Sequence, residues 1–375
     1  MVGLAGVSLG RCGTADMNIR NIAKLAGVSV ASVSRTLSGK DPSKVSAGTR
    51  AKILEICEDM RYSPNVHMLR ISGKRANTVS FLFPPKSHFS ANLTDVRMDD
   101  NLSAAIIGAQ EELDQCSSSL LLTSISEGFL AGKEYLKLHR SKTVDGLLIW
   151  GWTEPGTYLD ELTGEGVPFV MLQGGHEDVG VNSVNTHDEE GMRILVDHAV
   201  SVGHRRIAIV TPSISTSVGR ARCSGAVRAL ESHGISPSWF SREQGYEIET
   251  GYKACREILA HAPDTTCIIG SNDLSALGAI NAAKEMGIEV PGRLSVTGAD
   301  GLELYGQVNL TTYASHSYAV GRAAAKLLQT IIDEPGRAPE KIRVPVRFVC
   351  GNTVGPSMDR LSCHVAKRRQ RRFEC

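Results

Sequence analysis

No Cys-x-x-Cys pair occurs anywhere in these 375 residues. The nine cysteines are odd in number and scattered. That pattern argues against a disulfide framework or a zinc cluster, and for a reducing cytoplasm. No apolar run approaches the roughly 20 residues that a membrane span needs. No Gly-x-Gly-x-x-Gly follows a predicted strand and no Walker A sequence is present, which disfavours a Rossmann oxidoreductase and a P-loop enzyme. No His/Ser/Asp set or acid pair declares itself, so neither a catalytic group, a metal nor a cofactor is expected. Gly6-Val-Ser-Leu-Gly10 matches the G-x-S-x-G nucleophile pattern, but it follows no strand and precedes no helix and reads as chance. Residues 1–16 are glycine-rich, and Arg11 lies beyond the short apolar stretch rather than before it. They read as a disordered extension, not a signal peptide, and Met17 is a candidate true start.

What is present is an uneven charge. The net value of +1 conceals a segment, 17–77, with 11 Lys or Arg against 4 Asp or Glu. Residues 359–375 hold 6 against 2, which leaves 78–358 at −10. A basic head on an acidic body suits one polyanion-binding module attached to a trunk that repels phosphate. The length predicts two or three folded units.

The head carries the most informative stretch, Asn21-Ile-Ala-Lys-Leu-Ala-Gly-Val-Ser-Val-Ala-Ser-Val-Ser-Arg-Thr-Leu37. Ile22, Leu25 and Ala26 recur at helical spacing, and Val33 and Leu37 repeat it after a turn at Gly27. Gly27 supplies the backbone freedom that ends one helix, and Ser29 is a good cap for the next. Two helices joined this way form a helix-turn-helix unit, whose second helix enters the major groove. A third helix is predicted over 46–60, capped by Ser46, with Ile53, Ile56, Cys57 and Met60 on its apolar side. Ser63-Pro-Asn65 breaks it, and 65–73 is long enough for two turns of helix that are unstable alone.

From Thr78 the pattern becomes short apolar runs separated by helical stretches. The runs are Val79–Phe83, Ser119–Thr123, Gly146–Trp150, Pro168–Leu172, Arg206–Val210, Cys267–Gly270 and Leu294–Thr297. The helical stretches include 101–115, 188–202, 221–233, 250–260 and 273–286. Short buried strands alternating with helices predict parallel sheets covered on both faces. The tail 359–375 carries Lys-Arg-Arg-Gln-Arg-Arg, shows no leucine heptad and reads as disordered.

With these segments placed, the chain resembles the lactose/galactose-repressor family of bacterial transcription regulators over about residues 17–358. The resemblance is carried by Ala23–Arg35 and Tyr62-Ser-Pro-Asn65, then Gly203–Val210, Ser271–Ala279, Ser295–Asp300 and Leu310-Thr-Thr312. It implies an all-α helix-turn-helix head (17–63), a hinge helix or linker (64–77) and a two-lobed α/β body like a periplasmic binding protein (78–358). That body has parallel sheets and three crossovers. By motif position lobe 1 is about 78–203 plus 313–343, and lobe 2 about 204–312 plus 344–358. It also implies a dimer whose paired heads reach successive major grooves of a pseudo-palindromic DNA operator.

The resemblance assigns base contacts to Val30, Ala31 and Arg35, with Arg35 able to give a bidentate pair to guanine and the other two able to touch a thymine methyl. Ser29 and Ser34 are assigned to phosphates, and Asn18 joins the DNA-contact set. Asn65 starts the hinge. Ile71 falls at the minor-groove wedge, with Leu69 as the alternative, and Met68 stands where the family usually has alanine. Such a hinge is expected to be disordered free and ordered on DNA. For the effector, the resemblance assigns Arg222, Asn272, Asp300, Tyr246 and Glu190 to a cleft between the lobes. Together they suit a sugar or similar polyol-like metabolite. The usual Asp-Asn pair before the helix at 189 is here His187-Asp188. The segment 84–100 departs from the family pattern too, with His88 and Phe89 approaching the pocket. The expected protein is therefore a cytoplasmic, dimeric, effector-controlled repressor and not an enzyme. The alternatives are a solute-binding protein, opposed by the basic head, and a sugar-processing enzyme, opposed by the lack of an activated nucleophile.

Overall fold

The computed structural model describes residues 18–38, 42–60, 62, 75–84, 100–151, 157–175, 180–302 and 308–357. Asn65, Met68, Leu69 and Ile71 of the hinge, His88 and Phe89, the extension 1–16 and the tail 359–375 lie outside these residues. The described chain forms two compact units, divided between Ala76 and Asn77.

The first unit is three helices: α1 (Ile19–Ala26), α2 (Val30–Ser38) and α3 (Ala47–Asp59). Asn18 caps α1, accepting at Oδ1 from the amides of Arg20 and Asn21 at 3.0 and 3.2 Å. Gly27 ends α1 at φ +70°, a conformation that costs a Cβ-bearing residue. Ser29 Oγ accepts from the Ser32 amide at 3.1 Å, and Ser46 Oγ caps α3 through the Thr49 amide at 3.2 Å. Ile22, Val33 and Ile53, one from each helix, meet in a core closed by Ala23, Ala26 and Cys57. Each of the three large side chains is worth about 1.5–3 kcal/mol of apolar burial. Leu25, expected on the buried face, is 53% exposed. The core stripe is Ile22, Ala23 and Ala26, and position 25 falls outside it. Met60 is likewise exposed, at the end of α3.

The second unit begins with β1 (Thr78–Phe83), α4 (Asp100–Gln115), β2 (Ser119–Ser124), α5 (Glu127–Ala131), α6 (Glu134–Arg140), β3 (Gly146–Trp150), α7 (Thr157–Gly164), β4 (Phe169–Leu172) and β5 (Ser183–Thr186). With β10 (Lys341–Val344) these strands make one parallel six-stranded sheet in the order β10-β5-β4-β3-β1-β2. Alternation splits its side chains between two cores: Val79, Phe81, Leu148 and Val170 on one face, Leu82, Leu147, Ile149 and Met171 on the other. The first face is covered by α4 and α12 (Ser317–Asp333), which pack backbone to backbone. A Cβ on Gly321 would stand 1.9 Å from the Ala105 carbonyl oxygen, and one on Gly108 2.1 Å from that of Tyr318. The strand at 119–124 is not the buried strand its apolar run predicts. Among the described residues it is a sheet edge, with Leu121 37% and Leu122 46% exposed.

The second lobe holds α8 (Asp188–Ser201), β6 (Ile207–Ile209), α9 (Ser217–Ser232), α10 (Ile248–His261), β7 (Cys267–Ile269), α11 (Asp273–Glu285), β8 (Ser295–Thr297), β9 (Thr312–Ala314) and β11 (Arg347–Val349). Strands β6, β7 and β8 are parallel. Ile207, Ile209, Cys267 and Ile269 face α8 and α9, while Ala208, Ile268 and Val296 face α10 and α11. The chain passes between lobes after β5, after β9 and after β10, the expected three crossovers. Two details differ from expectation. Helix α8 packs in the second core through Met192, Leu195 and Val196, so the first crossover lies at 187 rather than 203. Tyr313 joins that same core, and β9 pairs antiparallel with β11, an element that an all-parallel reading omits. The crossovers are laced together. Thr186 Oγ1 donates to the Ser315 carbonyl at 3.1 Å, and the His187 amide to the Val344 carbonyl at 3.0 Å.

Candidate nucleic-acid and effector sites

In the head, the α2 turn that buries Val33 and Thr36 leaves Val30, Ala31 and Arg35 exposed on the opposite side, with Ser34 half-buried beside them. Val30 is 41% exposed. Ser29, exposed at the start of α2, spends its hydroxyl on the cap and on Ser32 Oγ at 3.0 Å. The Asn18 carbonyl oxygen is likewise used as a cap. Neither is thereby withdrawn from the helix N-termini, where backbone amides favour phosphate.

In the body, the sequence-predicted residues Arg222 and Asp300 meet directly. Arg222 lies on α9 and is buried, so its charge must be met from within. Its Nη2 donates to Asp300 Oδ1 at 2.5 Å, its Nε to Asp188 Oδ1 at 2.8 Å and its Nη1 to the Ser271 carbonyl at 3.0 Å. The guanidinium carbon stands 5.7 Å from the centre of the Tyr313 ring. Burial alone would lower the Arg222 pKa, but Asp300 first, then Tyr313 and Asp188, hold it well above the ordinary arginine value. Tyr313 donates its hydroxyl to Asp188 Oδ1 at 2.6 Å, and burial together with the neighbouring carboxylates pushes its own pKa up strongly.

Asp300 occupies a strained backbone conformation, with φ at +124° in a residue that is not glycine. Its amide donates to the Tyr313 carbonyl at 2.9 Å, and its carbonyl accepts from the Ser315 amide at 3.1 Å. Asp273, buried at the start of α11, braces the same turn. It accepts from Thr312 Oγ1 and from the Leu302 amide, each at 2.6 Å. Burial raises its pKa, against the opposing pull of those hydrogen bonds and of Arg222.

The other predicted effector residues fare differently. Tyr246 approaches the cluster. Its hydroxyl lies 3.1 Å from Thr216 Oγ1, and burial raises its pKa while Arg222 lowers it. Asn272 caps α11, its Oδ1 accepting from the Ser275 amide at 2.8 Å within a reciprocal capping box. Glu190 is not brought to the cluster. It pairs with Arg193, one turn along α8, at 2.5 and 2.8 Å, because i and i+3 face the same side of a helix and Arg222 lies on another. Sequence reasoning missed Asp188, Tyr313 and Asp273 as members of this network. Asp188 and Asp273 carried the available signal, a carboxylate just past a strand. Tyr313 carried none.

Comparison with known proteins bears on both units. A periplasmic binding protein-like domain matches residues 196–354, and the family described as bacterial regulatory proteins, lacI family, matches residues 18–65. The two together take in more than half of the chain. The chain belongs to the lacI family of bacterial regulatory proteins. This lacI-family regulator is 26% identical over 345 residues to the probable HTH-type transcriptional repressor ExuR of Bacillus subtilis (strain 168), spanning 90% of this chain and 98% of that protein. It is 27% identical over 346 residues to the HTH-type transcriptional regulator DegA of the same organism, again over 90% and 98%. A structure of the lac repressor dimer bound to operator and the anti-inducer ONPF has a TM-score of 0.77 at 23% identity, over 90% of this chain and 99% of that one. A lacI-family regulator from Enterococcus faecium with bound ribose has a TM-score of 0.62 at 26% identity, over 74% and 99%. The protein is thus a DNA-binding transcriptional regulator with an effector-binding body, and its relatives are repressors rather than enzymes. Among the described residues no helix is long and apolar enough to cross a membrane.

Proposed function

We propose that this regulator is a cytoplasmic repressor that binds a pseudo-palindromic operator as a dimer and responds to a sugar-like effector held beside Arg222 and Asp300. The observation that carries the DNA reading is the face of α2. Val30, Ala31 and Arg35 stand exposed on a helix whose other side is sealed into the head. Arg35 reads a guanine edge, Val30 and Ala31 touch thymine methyls, and Asn18, Ser29 and Ser34 hold phosphates. Asn65 opens the hinge, Ile71 or Leu69 supplies the wedge and Met68 lies between them. A dimer is the state in which the lac repressor was seen on operator, and cellobiose and ribose are bound by two other structural neighbours. Those likenesses support a dimer and a sugar-like ligand here.

At the effector site, Asp300 accepts ligand hydroxyls, Arg222 donates to them, Tyr246 stacks on the ligand face and Asn272 adds an amide. A ligand that competes for these groups must loosen the ion pairs that now bind them to one another. Because the network adjoins all three crossovers, its rearrangement changes the angle between lobes and so the spacing of the two heads. Such coupling is typically about 1–3 kcal/mol. The DNA reading is tested by gel-shift titration of an operator selected from genomic fragments. Arg35→Ala should cost about 1–3 kcal/mol of discrimination against scrambled DNA. Unchanged discrimination would overturn the assignment of Arg35.

A further inference from the structure

Two of the lobe crossovers are fastened to each other at both ends. On the lobe 1 side, Thr186 Oγ1 donates to the Ser315 carbonyl at 3.1 Å. On the lobe 2 side, the Tyr313 hydroxyl donates to Asp188 Oδ1 at 2.6 Å. Asp188 stands two residues after Thr186 and Tyr313 two before Ser315, so these bonds close a ring across the lobe boundary. The His187 amide, midway along the first crossover, ties the third through the Val344 carbonyl at 3.0 Å. Ser315 Oγ and Ser317 Oγ donate to Asn101 Oδ1 at 2.9 and 2.8 Å, which anchors the second crossover to α4 of lobe 1. The effector cluster shares one atom with this ring, because Arg222 Nε donates to the same Asp188 oxygen at 2.8 Å.

Helical spacing builds the junction. Asp188 and Gly191 lie at i and i+3 on α8, and Arg222 and Gly225 do so on α9, so each charge shares a face with a glycine. A Cβ on Gly225 would stand 2.7 Å from Glu189 Cα, so the two helices approach backbone to backbone and Arg222 reaches Asp188. A Cβ on Gly191 would stand 2.6 Å from the Tyr313 ring, which therefore lies across the first turn of α8 with its hydroxyl at Asp188. Strand alternation turns Thr312 the other way, to Asp273. Tyr313 thus meets both carboxylate partners of Arg222, Asp188 through its hydroxyl and Asp300 through its carbonyl, which accepts from the Asp300 amide at 2.9 Å. We propose that the Tyr313 hydroxyl is a positioning contact, whose bond to Asp188 carries the state of Arg222 to the paired crossovers and so sets operator affinity. This rests on the reading of the Arg222 cluster as the effector site. A ligand that draws Nε off Asp188 alters the oxygen that Tyr313 holds, and Tyr313 moves with the crossover it begins.

The test is the affinity of the full chain, without sugar, for an operator duplex selected from genomic fragments, measured by fluorescence anisotropy. Tyr313→Phe keeps the ring over Gly191 and removes only the hydroxyl. It should shift the operator Kd by about fivefold or more, the sense of the shift showing which lobe angle binds DNA. Hydrogen exchange should quicken at the amides of 187–191 and 313–316 while the strands of both lobes stay protected. Tyr135→Phe removes a hydroxyl of the same kind, bound to Glu161 at 2.8 Å on α6 of lobe 1, and should leave the Kd unchanged. Should Tyr313→Phe fail to fold, which thermal melting reports, Asp188→Asn keeps an acceptor oxygen for both donors, weakens the bond and should shift the Kd by several-fold. A Kd equal to wild type in a folded Tyr313→Phe, with or without a lower melting temperature, would overturn the proposal by reducing the hydroxyl to a structural bond. Unchanged exchange at the crossovers, or an equal shift in Tyr135→Phe, would do the same. Failure of the effector reading shows separately, as a wild-type Kd indifferent to ribose, cellobiose and glucose, and the variants then still decide the role of Tyr313 on DNA alone.

Discussion

A buried arginine between two carboxylates decides how the effector site must be probed. Asp300→Ala would remove the nearest partner of a guanidinium that has no access to water, and breaking such a pair costs about 3–5 kcal/mol. Loss of the effector response in that variant would therefore be entangled with loss of folding. Asp300→Asn keeps an oxygen to accept from Arg222 and removes only the charge. Its expected behaviour is operator binding close to wild type with a blunted response to ligand, read by gel shift with and without a sugar panel. A full response would refute Asp300 as an effector contact. Arg222 and Asp300 were legible in the sequence from their places beside family motifs. Their partners were not: Asp188 lies 34 residues from Arg222 and Tyr313 lies 125 from Asp188, distances over which only the fold brings side chains together. Glu190 misled because its position in the motif does not reveal which side of α8 it faces. Arg193, one turn away, claims it.

At the scale of elements, helical periodicity found α1, α2 and α3 and their caps, since those signals are local. It placed Leu25 inside because hydrophobicity was read without knowing the width of the buried stripe. In the same way the Leu-Leu-Leu run of β2 read as a buried strand, and only the strand order shows that nothing among the described residues pairs with its outer edge. The contact between α4 and α12 was invisible in sequence, because a glycine does not announce whose backbone approaches it. It yields a sharp expectation. A Cβ at Gly321 cannot fit against Ala105 without moving one helix, so Gly321→Ala should destabilise the body by about 1–3 kcal/mol. Urea denaturation measures this, and a variant as stable as wild type would show that the helices separate freely.

For the whole molecule, the distribution of charge matters more than its sum. Because 17–77 concentrates the positive charge while 78–358 carries −10, operator affinity should depend steeply on salt. For a dimer making roughly six to ten phosphate contacts, the expected loss is about 10³–10⁵ in affinity between about 50 and 200 mM salt. A flat profile would mean that the head does not engage phosphates as described. Local chemistry in the chain, meaning caps, helical and strand periods and charge blocks, was enough to determine a helix-turn-helix head on an α/β body of parallel sheets, while the two lobes and the class of regulator were implied by the family resemblance that the order of motifs carries. Those properties depend on neighbours within a few residues, or on the order of segments. Tertiary structure alone decided that Asp188 and Tyr313 complete the Arg222 network and that α8 belongs to the second lobe. The reason is that a buried charge is met, and a pocket walled, by whichever residues the fold places nearest, however far apart they stand along the chain.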